Sequence, residues 1–164
     1  MNREERREFV KKHRTAVFGT NRKSDGPAQS IVYYVTDGDD ILVSTMGARA
    51  KAKAAERLGK VSLCILDEQW PPTYLVVYCD ATVEREPKPV VDLMMRIAGV
   101  MAGKPMPESV RPLVEQGAAK EGRVMVRLTP YATFHSPPRH VHNAKDIDEK
   151  NKNLVHDLGD NQPW

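Results

Sequence analysis

The apolar positions of the chain fall into two rhythms. Residues 15–20 (TAVFGT), 29–35 (QSIVYYV), 41–45 (ILVST), 61–66, 73–83 and 123–134 (RVMVRLTPYATF) are mostly short runs rich in β-branched and aromatic side chains. Such runs, bounded by turn residues, predict strands. The other rhythm is helical. Residues 2–12 predict a short helix that Asn2 can cap, with Glu4 and Glu5 at its positive end. Residues 47–58 (GARAKAKAAERL) are alanine-rich and run into Gly59, a usual helix stop. Between 90 and 101 the apolar residues Val90, Leu93, Met94, Ile97, Val100 and Met101 recur at helical spacing, and 107–119 predict one more helix.

Asp25-Gly26-Pro27 and the run DGDD at 37–40 are turn chemistry, and the second closes a hairpin. The predicted order is α-β-β-β-α-β-β-α-α-β. Six strands, mostly joined by tight turns, predict a mainly β, α+β fold built on a closed or nearly closed antiparallel barrel. A doubly wound parallel sheet would need strands and helices to alternate, and they do not. The expected domain is 1–135, with a helical insertion at 87–122. The polar, proline-punctuated tail at 136–164 is expected to be extended or partly disordered. Leu154, Val155, Leu158 and Trp164 are the side chains with which it could dock on a partner surface.

Composition narrows the function classes. The chain has 164 residues, and 25 Lys and Arg against 22 Asp and Glu give a formal charge of +3. A balance that small does not point to nucleic acid unless the charge is gathered in one place. No apolar run approaches the ~20 residues that cross a bilayer, so no membrane partner is expected. The N-terminal MNREERREFVKKH has no apolar centre, unlike a secretory signal. Cys64 and Cys79 sit in strand-like runs and read as buried free thiols, which fits a cytoplasmic protein. His135, His140 and His142 lack carboxylate or cysteine neighbours at ligand spacing, so no metal is expected.

The segment 44–58 carries the strongest local signal. Arg49, Lys53 and Arg57 are four apart and share a helix face, while Lys51 points toward the side of Ala55 and Leu58. Ser44 and Thr45 immediately precede the helix, whose start offers unpaired N–H groups. Hydroxyls, N–H groups and cations together suit a phosphate or carboxylate. Taken alone, such charges are more often a solvated helix face. Tyr33, Tyr34 and Trp70 could wall a flat ring, or simply pack in a core or interface. The motifs G-x-S-x-G, G-x-x-x-x-G-K-[ST] and G-x-G-x-x-G are absent. No acid–base dyad stands out, as expected where a bound cofactor carries the chemistry.

These pieces in this order resemble the pyridoxamine-phosphate-oxidase-like, FMN-binding split barrels. The match rests on a first strand ending at Thr20, the D-G-P turn, an aromatic-ended second strand, and a third strand ending in Ser44. It continues through the R-A-K run at Arg49, Ala50 and Lys51, the strand beginning at Val61, the Trp70 loop leading to Tyr74, and Ala81-Thr82-Val83. It is nearest the branch that uses the deazaflavin coenzyme F420. The resemblance implies that Arg49 and Lys51 hold the cofactor phosphate, with Ser44 and Thr45 close by. Lys53 and Arg57 would be outer contacts for an acidic cofactor tail. Gln29, Ser30, Ile31, Val32 and Tyr33 would line the ring. Trp70 and Tyr74 would come from the partner in a homodimer with sites at its interface. It implies hydride transfer between F420 and an unsaturated or quinone-like small molecule, with no catalytic side chain. An FMN-dependent oxidoreductase and a non-catalytic flavin, deazaflavin or haem binding protein are the alternatives. The insertion and the tail are where a substrate-side cover would come from.

Overall fold

A computed structural model describes residues 1–69, 73–136 and 161–164. The chain forms helix α1 (Arg3–Lys12), strands β1 (Thr15–Thr20), β2 (Ala28–Tyr33), β3 (Val35–Asp37) and β4 (Asp40–Met46), and helix α2 (Ala50–Leu58). Strands β5 (Lys60–Asp67) and β6 (Thr73–Glu84) follow, then helices α3 (Pro87–Ala102) and α4 (Arg111–Glu121), and strands β7 (Arg123–Ser136) and β8 (Gln162–Pro163). The sheet runs in the order β2-β1-β5-β6-β7-β4-β3, with β8 added to β7, and its pairs are antiparallel. This curled sheet with four helices is the α+β split barrel that the sequence predicts.

The path explains the curl. Strands β2 and β3 lie at opposite ends of the sheet order, yet they are consecutive in the chain. Only Tyr34 separates them. Its N–H donates to the Arg14 carbonyl at 3.2 Å, and its hydroxyl donates to the Val10 carbonyl at 2.7 Å. At this buried tyrosine the backbone leaves β1 and joins β4. The single strand predicted over 29–35 is therefore two strands. A period-two pattern reports which face a residue takes, not which neighbour it pairs with.

Alternation supplies the core. Phe18, Leu63, Ile65, Leu75, Val77, Val126 and Leu128 are buried together inside the curled sheet. The insertion packs outside it. Val90 and Leu93 of α3 meet Val35, Leu42 and Met125, and Val91 and Met95 meet Ala118 of α4. Asn2 and Glu5 form a reciprocal cap at the start of α1. Gly59 ends α2 at φ 62°, a conformation that L side chains disfavour.

Arg127 ties the strands from outside. Its guanidinium donates to Glu84 at 2.7 Å and to Asp37 and Asp40 at 3.0 Å each, linking β7, β6 and the β3–β4 hairpin.

The last residues add a short strand to the sheet. Gln162 and Pro163 pair with Thr133 and Ala132 of β7. Arg6, which is 4% exposed, donates to the Gln162 side chain at 2.7 Å and the Pro163 carbonyl at 2.8 Å. Trp164 packs on the chain's own core, with its ring 5.5 Å from the Arg7 guanidinium. A proline-bearing dipeptide is too short to show a strand rhythm. The tail segment at 137–160, with His140 and His142, lies outside the described residues.

No helix among the described residues is long and apolar enough to cross a membrane. Among them, too, no three His, Cys, Asp or Glu side chains converge as a metal site would need.

Candidate functional site

The end of β4 and the start of α2 build one wall of a cavity of about 350 Å³, and the β2 residues Ile31, Val32 and Tyr33 build another. The helix begins later than its alanine pattern suggests, at Ala50 and not at residue 47. Gly47 is held instead against the start of β7, its N–H donating to the Gly122 carbonyl at 2.9 Å. A Cβ at residue 47 would lie 3.1 Å from Val124 Cγ1, tighter than most side chains tolerate. This close approach makes Arg49 the N-cap residue of α2, without a side-chain cap bond of its own. The helix start, with its unpaired N–H groups, follows directly on Arg49, and Ser44, Thr45, Arg49 and Lys51 line the cavity together.

Three features favour an anion there. The Ser44 hydroxyl is buried and has no hydrogen-bond partner. Such a group is costly unless something completes it. Among the described residues no carboxylate lines the cavity, whereas Arg49, Lys51 and Arg123 do. Burial, reinforced by the neighbouring Arg49 charge, pushes the Lys51 ammonium below its usual pKa. Neither Arg49 nor Lys51 has an ion-pair partner among the described residues. Arg123 is held by Glu121 at 2.5 Å.

Helix α3 closes the apolar side with Met94, Ile97, Ala98 and Met101. Ile31 and Met101 at the rim are 75% and 57% exposed, so the mouth is greasy on one side and cationic on the other. A flat ring bearing a phosphate needs both.

Residues 3–135 match the family described as pyridoxamine 5'-phosphate oxidase. The chain belongs to this family. A search of curated protein sequences finds no match. Solved structures share the fold. A conserved hypothetical protein of Mycobacterium tuberculosis is 21% identical, covers 88% of this chain and 94% of its own, and superposes with a TM-score of 0.72. An F420 reductase is 17% identical, with coverage of 77% and 93% and a TM-score of 0.61. A haem storage protein of Vibrio cholerae is 18% identical, with coverage of 80% and 92% and a TM-score of 0.58.

In this member of the pyridoxamine 5'-phosphate oxidase family, Ile31, Val32, Tyr33, Ser44, Thr45, Arg49 and Lys51 come together around the cavity. Ala50, exposed, opens the helix beside them. Gln29 and Ser30 lie further back on β2, opposite Gly19 and Phe18 of β1, and do not line it. Lys53 and Arg57 are exposed and outside the lining, and Arg57 donates to the Asn21 carbonyl at 3.2 Å. Tyr74 opens β6 opposite Ser136, whereas the cavity lies near the other end of that strand, where Glu84 pairs with Met125. Ten residues of strand separate the two ends, about 33 Å. Trp70 lies outside the described residues.

Met46, Met94, Ile97, Ala98, Met101 and Arg123 also line the cavity, although the sequence reading did not place them at the site. The helical rhythm of α3 is visible in the sequence, but not which of its faces turns toward β2 and α2. Arg123 reads as the first residue of a strand, and only its pairing with Met46 brings it to the mouth.

Proposed function

We propose that this protein is an oxidoreductase that uses the deazaflavin coenzyme F420 on an unsaturated or quinone-like small molecule. The unpartnered Ser44 hydroxyl beside Arg49 and Lys51, at a helix N-terminus in a cavity free of carboxylates, carries this reading. These residues fit a phosphate group: the hydroxyl and the N–H groups donate hydrogen bonds, and the two cations neutralise its charge. The bound cofactor would supply the hydride chemistry at its ring. The protein's own part is to bind and orient. Ile31, Val32 and Tyr33 offer one wall to a ring, and Met94, Ile97 and Met101 offer an apolar wall that excludes water from the substrate side. The exposed Lys53 and Arg57, beyond the cavity, suit the acidic tail that F420 has and FMN lacks.

Tyr74 and Trp70 contribute on this reading only from a second copy, so the working unit is a homodimer with sites at its interface. The reading is of a soluble cytoplasmic enzyme. The second reading, an FMN enzyme or a carrier of flavin or haem, is favoured by neighbours of the same fold described as an FAD-binding protein and a haem storage protein. The colour of the purified protein and titration with each cofactor separate these. A colourless preparation that quenches F420 fluorescence supports the proposal. A yellow preparation that retains FMN supports the alternative, and binding of neither cofactor sinks both enzyme readings.

A further inference from the structure

A second cleft among the described residues is larger than the one described above. It holds about 790 Å³, within the size range of small-molecule sites, and lies between the end of α1, the Tyr34 crossover with β3, and α3 with the turn that follows it. Helix α3 divides the two: Met94, Ile97 and Met101 face the cofactor cavity, and Met95, Gly99 and Val100 face this cleft.

Its walls are of two kinds. The floor is apolar, made by Tyr34, Val35, Met95 and Val100. Three of these are at most 8% exposed, and the Tyr34 hydroxyl is already satisfied by Val10. The rim is basic. Two carboxylates, Asp92 and Glu108, also line it and are held by Arg111, with Lys88 on Asp92 as well, while Lys11 pairs with Glu8 and Lys12 with Asp67. Three further cations, Arg14, Arg96 and Lys104, come from three different segments. None of them has an ion-pair partner among the described residues, and Arg96 donates only to the Thr36 carbonyl. In a chain whose net charge is +3, three unpaired cations around one cleft are a local excess.

We infer that this cleft binds an apolar organic acid, a monocarboxylate whose hydrocarbon body lies on the Tyr34–Met95–Val100 floor and whose carboxylate meets the rim cations. The cations are exposed, so water and salt weaken their pull. Affinity must then come mainly from the floor, with the charges fixing orientation and excluding neutral or cationic molecules. A compact phosphate suits the cleft poorly, since the helix start that lines it, at Arg111 of α4, is already occupied by the carboxylates of Asp92 and Glu108. This inference does not rest on the cofactor reading.

The test is calorimetric titration of the full-length protein with octanoate, 1-octanol and inorganic phosphate at physiological salt. Octanoate should bind, and octanol and phosphate should bind much more weakly. Arg14→Glu with Lys104→Glu should weaken octanoate by about tenfold or more, because both side chains are exposed and the reversal turns attraction into repulsion. A thermal melt and a cofactor titration of that variant should match the parent. Lys51→Ala should leave octanoate binding intact. The inference fails if octanol binds as tightly as octanoate, if the double reversal changes nothing, or if Lys51→Ala abolishes binding, which would put the acid in the cofactor cavity. Loss of cofactor binding with octanoate binding retained would sink the proposed function and leave this inference standing.

Discussion

Ser44 keeps a buried hydroxyl without a partner, and Lys51 carries a charge that its surroundings disfavour. Both features oppose stability in the free protein and favour an anionic ligand. Ser44→Ala should therefore hold or raise the melting temperature, since an unsatisfied buried group costs about 1–3 kcal/mol, while cofactor affinity falls. Differential scanning fluorimetry and a cofactor titration on the same sample check both. Lys51→Met should behave alike, weakening cofactor binding by about 1–3 kcal/mol, the scale of a charge-assisted hydrogen bond. The pH dependence has a definite sign. Because the folded pKa of Lys51 lies below the ordinary lysine value, its ammonium destabilises the fold fully at pH below the folded pKa, and the effect fades as pH rises from there to the ordinary lysine value. Phosphate affinity runs the other way. It needs the ammonium, so it should fall on the alkaline side earlier than with an unperturbed lysine. A binding profile that is flat up to the ordinary lysine pKa would remove Lys51 from the contact.

At the scale of elements, the last residues matter more than their composition suggests. Deleting residues 161–164 takes two acceptors from the buried Arg6 guanidinium and uncovers part of the core under Trp164. A loss of about 2–4 kcal/mol in urea unfolding is expected, because a buried charge is left short of partners. An unchanged midpoint would mean that water replaces these bonds without cost. Arg127→Met should cost about 1–3 kcal/mol in the same assay, since one side chain joins three carboxylates across β7, β6 and the β3–β4 hairpin. How much was legible in the sequence divides along the same line. Local features were readable: the Asn2 cap, the Gly59 stop, the DGDD hairpin, and the R-A-K run after Ser44 all follow from residue types a few positions apart. Partner choice was not. Tyr34 passes the chain from β1 to β4, Met46 meets Arg123, and α3 turns Met94 and Ile97 toward β2, because of distant contacts that leave no periodic trace. The late start of α2 is a case between the two: alanines favour helix from residue 47, but the approach of Gly47 to Val124 overrides propensity.

At the scale of the whole molecule, β2 is an edge strand with Ile31 three-quarters exposed beside the candidate cavity. An uncovered apolar edge is a place where another chain docks. In the proposed homodimer this face is covered, so Ile31→Asp should shift the protein toward monomer in light scattering and weaken cofactor binding with it. A variant that stays dimeric and binds normally would place the interface elsewhere.

Strand β7 is flanked by β6 and β4, which it joins across the sheet, and it is made late. The Asp40–Arg127 ion pair spans 87 residues of chain. Until the ribosome has released residues 123–136, β4 and β6 each present an unpaired inner edge, and the nascent chain can close only the β1–β2, β1–β5, β3–β4 and β5–β6 pairs. Loops this long slow the search for native pairing, so stopped-flow refolding is expected to be slower than the microseconds of helical bundles. A chain cut short before residue 123 would have no way to seal those edges, and self-association should overtake folding.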